Sequence, residues 1–238
     1  MTIGIAVLGA TGRVGSRILE LAGSDPEISI RNLLSINDIT NNSPLIQGCD
    51  VAIDFTSAEA TQGFLEEAVR ASKPLVIGTT GHSEEAKRAI RASSEHIPIL
   101  YSPNFSLGIA LCLQTAAALG KALFGGCTID IIETHHVHKK DSPSGTAIAL
   151  ADAIAQGKMV VASQSSHPRS KQEIVIHSIR SGEAIGEHLI VFEWGHERIE
   201  LKHTAHSRDA FAHGALLGAK FLVKQPPGLY SLQDMFSH

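Results

Sequence analysis

The densest group of residues able to do chemistry is the run Glu133-Thr134-His135-His136-Val137-His138-Lys139-Lys140-Asp141-Ser142-Pro143-Ser144-Gly145-Thr146-Ala147. Three histidines and two lysines in one stretch aim proton donors and cations at a common region, which suits an anionic substrate that must be protonated. Pro143-Ser144-Gly145-Thr146 then opens a helix, whose first backbone N–H groups and dipole favour a carboxylate. A metal centre is the competing chemistry. His136 and His138 share a strand face, but Lys139 and Lys140 repel a cation, and no cysteine or nearby carboxylate pair completes a tetrahedral set. Proton transfer is therefore preferred and no metal is expected; the plain alternative is a solvated polar loop in a chain that has 13 histidines.

A second group is Gly9-Ala10-Thr11-Gly12-Arg13-Val14-Gly15, which follows an apolar β-like run and opens a helix. Glycines there permit a tight turn and let a pyrophosphate approach backbone N–H groups; without a ligand the same pattern is simply a tight βα turn. Asp54-Phe55-Thr56 and Gly78-Thr79-Thr80-Gly81 stand at further strand ends, where open α/β sheets bind ligands, although Asp54 and Thr56 can equally satisfy backbone groups. Asp38 lies late for gripping an adenosine ribose, and Arg13 is the nearest cation for a 2′-phosphate, so NADH and NADPH both stay open. Arg208, where the last strand meets a helix, suits either a substrate carboxylate or a structural salt bridge.

These residues need elements to hold them. In the first half, strands are expected over 3–8, 28–34, 51–55, 74–77 and 98–101, with helices over 13–22, 58–71 and 83–94, and Ser57 and Ser83 as N-caps. That alternation describes a doubly wound parallel sheet. Beyond Leu107 come a long apolar helix to about Phe124, a strand over 128–135, a polar loop and a helix from Gly145. Three β-like runs over 173–180, 188–194 and 198–205 follow without intervening helices, which indicates a mixed or antiparallel sheet in a second domain. A helix over 210–222 and the Pro226-Pro227-Gly228 break then lead back towards the first domain.

The 238 residues, 43% hydrophobic and 18% charged, are enough for one large α/β domain or for a nucleotide domain with a smaller partner, and argue against a disordered chain. A net charge of -4 without any block of Lys and Arg speaks against nucleic acid as a partner. The first strand has no basic leader before it, and the uncharged stretch 102–120 contains Pro103, Asn104 and Gln114, so no membrane association is expected. Three cysteines without CxxC spacing fit reduced thiols and a cytoplasmic protein.

In order and spacing, Gly9-x-x-Gly12-x-x-Gly15, Asp54-Phe55-Thr56, Gly78-Thr79-Thr80-Gly81, Asn104-Phe105-Ser106, His135-His136-x-x-Lys139-x-Asp141-x-Pro143-Ser144-Gly145-Thr146-Ala147 and Gly186-Glu187-His188 closely resemble the dihydrodipicolinate reductase family, nearly end to end. The resemblance implies an α/β fold: a Rossmann-like nucleotide-binding domain over 1–106 plus 209–238, and an α+β substrate-binding domain over 107–208 whose sheet assembles a homotetramer. It implies an oxidoreductase of diaminopimelate and lysine biosynthesis that uses NADPH or NADH. A hydride reaches C4 of the ring of 4-hydroxy-tetrahydrodipicolinate, a small dicarboxylate, and water is lost. By the same resemblance His135 is the acid and Lys139 its catalytic partner, while His136, Gly145 and Thr146 hold the substrate carboxylates. The nucleotide falls to Gly9, Thr11, Gly12, Arg13, Val14, Phe55, Gly78, Thr79, Thr80, Ser102, Asn104 and Phe105. The chain departs from the usual family pattern in its shortening after the second strand and between Lys158 and Glu173, in Ser35 and Ile36 where an acidic residue is common, and in Val137 where a basic one is.

Overall fold

The structure is a computed structural model that describes residues 2–34, 46, 48–123, 125–155, 160–162 and 173–236. Ser35, Ile36, Asp38 and Lys158, which bear on nucleotide choice and loop shortening, lie outside the described residues. The chain divides into two compact units, Met1–Leu107 with Arg208–His238, and Gly108–Ser207. No helix among the described residues is long and apolar enough to cross a membrane.

The first unit is a six-stranded sheet. Its strands are β1 (Ile3–Leu8), β2 (Ile28–Leu34), β3 (Val51–Asp54), β4 (Leu75–Ile77), β5 (Pro98–Tyr101) and β11 (Gly228–Tyr230), in the order β11-β5-β4-β3-β1-β2. Every pairing is parallel. The central strands are continuous apolar runs because both their faces are covered, which is what a parallel sheet demands. Helices α1 (Gly15–Gly23), α2 (Ala58–Ala71), α3 (Glu84–Ser93) and α6 (Asp209–Leu222) provide that cover. Phe64, Leu65 and Ile90 from α2 and α3 pack into one core with Leu8, Ala52, Leu75 and Ile99.

Local chemistry accounts for several of the boundaries. Ser83 caps α3, its hydroxyl accepting from the Ala86 N–H at 3.2 Å, whereas Ser57 precedes α2 without a side-chain cap. Helix α1 starts at Gly15 rather than Arg13, because the Gly12 N–H closes a turn onto the Gly9 carbonyl at 2.9 Å. The Arg17 guanidinium makes a bidentate pair with Asp209 at 2.6 and 2.9 Å, tying α1 to α6 across 192 residues of sequence.

The second unit, read by itself, is a mixed sheet. Strands β6 (Thr128–His135), β7 (Val160–Ala162), β8 (Ile174–Arg180), β9 (Glu187–Trp194) and β10 (Glu197–Thr204) run in the order β10-β9-β6-β8-β7. The β6–β8 and β7–β8 pairs are parallel, while β6–β9 and β9–β10 are antiparallel. Helix α4 (Leu107–Leu123), nearly all of it in this unit, and α5 (Gly145–Ala155) cover one face through Cys112, Ala116, Ala147, Leu150 and Ile154, against Ile129, Ile131, Ile176, Ile190 and Phe192. Along β6, burial alternates strictly, so residues 129, 131, 133 and 135 share the covered face.

Candidate active site

Adjacent parallel strands bring four loops of the first unit into one row. Those after β5, β4, β3 and β1 follow one another along the sheet edge, as the strand order requires. After β1, Gly9 has φ +82°, a left-handed conformation, and a Cβ there would lie 2.5 Å from the Phe55 carbonyl oxygen. A Cβ at Gly15 would lie 2.0 Å from the Gly9 carbonyl oxygen, so turn and helix start are in backbone contact. A Cβ at Gly78 would fall 2.2 Å from the Phe55 ring. The cradle exists because these side chains are missing, and its turn runs directly into the N-terminus of α1, a backbone arrangement that receives a pyrophosphate. The residues present therefore fit a dinucleotide.

The expected nucleotide residues divide into two groups. Thr11, Arg13 and Thr80 are exposed, and Gly9, Gly12, Val14, Phe55, Gly78 and Asn104 are half-buried, so these border the row. Thr79, Ser102 and Phe105 are buried and act inside it. The Thr79 hydroxyl accepts from the Thr56 N–H at 3.0 Å, joining the loops after β3 and β4. Ser102 donates to the Asn104 carbonyl at 2.7 Å, and Asn104 Oδ1 accepts from the Ser106 N–H at 2.8 Å, which builds the turn that seats Phe105 edge-on to Phe55, ring centroids 5.4 Å apart. Asp54 is fully buried and accepts from Thr56 Oγ1 at 2.5 Å and Thr61 Oγ1 at 2.6 Å, holding the loop after β3 in shape. A cavity of about 470 Å³ borders the same row, lined by Thr80, His82, Lys87, Arg91, Tyr101 and Leu229.

In the second unit, the covered sheet face is apolar at one end and polar at the other. Past Ile129 and Ile131 it presents Glu133 and His135, opposite His188 of β9 and Arg180 of β8. Glu133 is fully buried; the Arg180 guanidinium grips it at 2.9 and 3.0 Å, His135 Nδ1 meets Oε2 at 2.5 Å, and the Ser144 N–H donates to Oε1 at 3.2 Å. Burial alone raises the Glu133 carboxyl, but hydrogen bonds from Arg180, Ser178 and His135 outweigh it and hold the group below the ordinary carboxylate range. Removing either partner of such a buried pair leaves an uncompensated charge, at a cost of about 3–5 kcal/mol.

Burial also pushes the His135 imidazole below its usual value, with Glu133 opposing that shift and Lys139 and Arg180 adding to it. His188 is driven down to about 4 by burial and by the neighbouring His135 and His203. Its ring stands 5.3 Å from that of His135, and its Nε2 lies 3.3 Å from the Ser144 hydroxyl, which in turn accepts from the Ala147 N–H at 3.1 Å. The first turn of α5, with Gly145 exposed and Thr146 half-buried, is thus fastened to the histidine cluster.

The loop after β6 is pinned against the β8–β9 turn. His136 N–H donates to the Ala184 carbonyl at 2.7 Å, and the Ser181 N–H to the His135 carbonyl at 2.9 Å. Arg180 also donates to the Asp141 carbonyl at 2.6 Å, and the Lys139 ammonium lies 2.9 Å from the Asp141 carboxylate. Nδ1 of His136 is buried without a partner among the described residues, a donor or acceptor awaiting one. The structure thus gathers His135, His136, Lys139, Gly145 and Thr146 around one loop and one helix start. Arg208 is exposed and makes no side-chain cap on α6. Sequence reasoning gave no role to Glu133, Arg180 or His188, and placed Ser144 at the helix start without its contacts to Glu133 and His188; the available signal was an acid at an inward position of an alternating strand.

An open parallel sheet with a glycine-lined row at its strand ends, together with an α+β unit carrying a buried carboxylate–imidazole pair, defines a Rossmann-type nicotinamide-dependent oxidoreductase. Models of the dihydrodipicolinate reductase N-terminus and C-terminus match residues 3–105 and 108–236. The 4-hydroxy-tetrahydrodipicolinate reductase of Wolinella succinogenes is 40% identical over 97% of this chain and 97% of its own, and that of Methanopyrus kandleri is 38% identical over 98% and 96%. Among solved structures, dipicolinate-bound dihydrodipicolinate reductase from Paenisporosarcina sp. TG-14 shares the fold with a TM-score of 0.83 at 23% identity, covering 99% of this chain and all of that one. The chain belongs to the dihydrodipicolinate reductase family.

Proposed function

We propose that the protein catalyses the NAD(P)H-dependent reduction of 4-hydroxy-tetrahydrodipicolinate to tetrahydrodipicolinate, with loss of water, in the diaminopimelate route to lysine. The observation that carries this reading is the His135 imidazole held on a buried, ionised Glu133 beside the first turn of α5. NADH or NADPH, when bound, supplies the hydride. The chain's residues do the rest. His135 delivers the proton as negative charge develops on the ring, because a carboxylate at Nδ1 stabilises the imidazolium that carries it. Lys139, on the same loop, is the catalytic partner that replenishes the positive charge. His136 Nδ1 and the amides of Gly145 and Thr146 receive the substrate carboxylates, consistent with a buried nitrogen that has no partner among the described residues and with the preference of a helix N-terminus for an anion. The row of Gly9, Thr11, Gly12, Arg13, Val14, Phe55, Gly78, Thr79, Thr80, Ser102, Asn104 and Phe105 holds the nucleotide, with the 1–106 and 209–238 segments as its domain and 107–208 as the substrate domain.

The active form is a cytoplasmic homotetramer assembled through the second unit's sheet. Its face away from α4 and α5 carries Ile179, 45% exposed, and half-buried Ile132, Leu189 and Val191, an apolar surface suited to burial between subunits. Three buried free cysteines fit a reducing compartment.

The deciding experiment couples freshly generated 4-hydroxy-tetrahydrodipicolinate to NADH and NADPH separately and follows nicotinamide absorbance, with His135→Gln alongside. Enzyme-dependent oxidation that disappears in the variant supports reaction and acid together. Folded protein that binds NAD(P)H yet oxidises neither nucleotide would move the assignment to a nucleotide sensor or to another small dicarboxylate.

A further inference from the structure

Glu133 stands where β6 otherwise faces the core with isoleucines, and its two oxygens collect four N–H contacts from three separate segments: two from Arg180, one from His135 and one from the Ser144 amide. An ionised carboxylate can only accept, so the hydrogen between it and His135 must sit on Nδ1. That leaves Nε2 as the outward atom, on the side where a Cβ at Gly186 would come within 3.1 Å of it. The same carboxylate reaches α5 through Ser144, whose hydroxyl caps the helix and meets His188. Arg180 holds Glu133 on one side and the Asp141 carbonyl of the loop on the other.

We propose that Glu133, clamped by Arg180, is a positioning residue that fixes the Nδ1–H tautomer of His135 and the first turn of α5 together, so that one carboxylate sets both the proton-donating atom and the anion cradle. The inference rests on the reading of His135 as the acid and adds to it the groups that decide its protonation. Those facing His135 are Glu133 on its own strand, Arg180 from β8, His188 from β9 and Lys139 from the loop. Of these Glu133 is the one that favours a proton on the ring, whereas Arg180 and Lys139 oppose it.

The test is a nitrogen-15 NMR titration of the histidines in the free full-length protein, which needs no turnover. Neutral His135 in the wild type is expected as the Nδ1–H tautomer, the minor form of free imidazole; an Nε2–H tautomer overturns the proposal, and this reading survives even where a variant fails to fold. Glu133→Gln should lower the His135 midpoint by about one pH unit or more, the scale of losing an adjacent opposite charge, and weaken binding of pyridine-2,6-dicarboxylate about tenfold. An unmoved midpoint overturns it. Ser144→Ala keeps the amide that donates to Glu133 but loses the cap, so it should weaken the dicarboxylate and leave the midpoint in place; an equal midpoint shift would mean general loosening and would also overturn the assignment. Turnover that persists in His135→Gln, with the titration behaving as expected, would remove the acid role while leaving the positioning intact.

Discussion

At the end of β1 the chain makes room for a ligand by leaving atoms out, with Gly9, Gly15 and Gly78 all closer to neighbouring backbone or ring than any Cβ allows. At the end of β6 it does the reverse, packing buried Glu133, His135 and His188 against the half-buried Arg180 in one network. The first region fails when something is added and the second when something is taken away or neutralised. The reason lies in what each must recognise: a pyrophosphate needs close backbone and a helix end, whereas a proton in flight needs a group whose protonation the surroundings control.

Substitutions can separate the two regions. His135→Gln and Lys139→Ala should each lower kcat by about 10²-fold or more, the scale for losing a positioned proton donor, while nucleotide affinity measured by fluorescence stays put. Near-normal turnover in both would sink the assignment of roles. In the opposite region, Gly15→Ala must push the Gly9 carbonyl aside, and calorimetry should find nucleotide affinity reduced by about 10²-fold with pyridine-2,6-dicarboxylate binding retained. Loss of both ligands together would show that the two regions do not fail independently.

The charged region carries an acid-sensitive group in His188. His188 sits near pKa 4 in the fold, against about 6.5 in an unfolded chain, so the unfolded chain takes up the proton first. The stability tied to this residue is therefore intact above about pH 6.5 and declines as pH falls towards 4, by about 2 kcal/mol at pH 5. Thermal melts at pH 7.5 and 5 should show His188→Gln losing less than the wild type over that interval, and parallel losses would contradict the linkage. The smallest effect concerns nucleotide choice: with no evident selector after β2, kcat/KM for NADH and NADPH should differ by less than about tenfold, roughly 1.4 kcal/mol. A stronger preference between the two kcat/KM values would contradict this.

The two regions also differed in how readily the sequence revealed them. Gly9, Gly12 and Gly15 lie within seven residues and follow a strand that is apolar from end to end, so a local pattern carries the turn, the helix start and the strand end at once. The histidine run was equally visible, but its control was not. Glu133 and Arg180 are 47 residues apart, and they meet only through the β6–β8 register, which no local periodicity encodes. Strand β11 was hidden for a related reason: three residues after Pro226-Pro227 read as a break, and what makes them a strand is parallel pairing with β5, far back in the sequence. Likewise Ser57 looked like a cap as much as Ser83 did, yet only Ser83 makes the side-chain bond.

The discontinuity of the first unit bears on the order in which the protein comes into being. Gly108–Ser207 is a single uninterrupted stretch, able to gather its sheet as soon as it has left the ribosome. Met1–Leu107 must wait, since α6 and β11, which pack on α1 and pair with β5, are synthesised a hundred residues later. During that interval the Ile99 strand has an unpaired edge, and the nascent chain is at its most exposed to mispairing there. The half that appears first is therefore completed last.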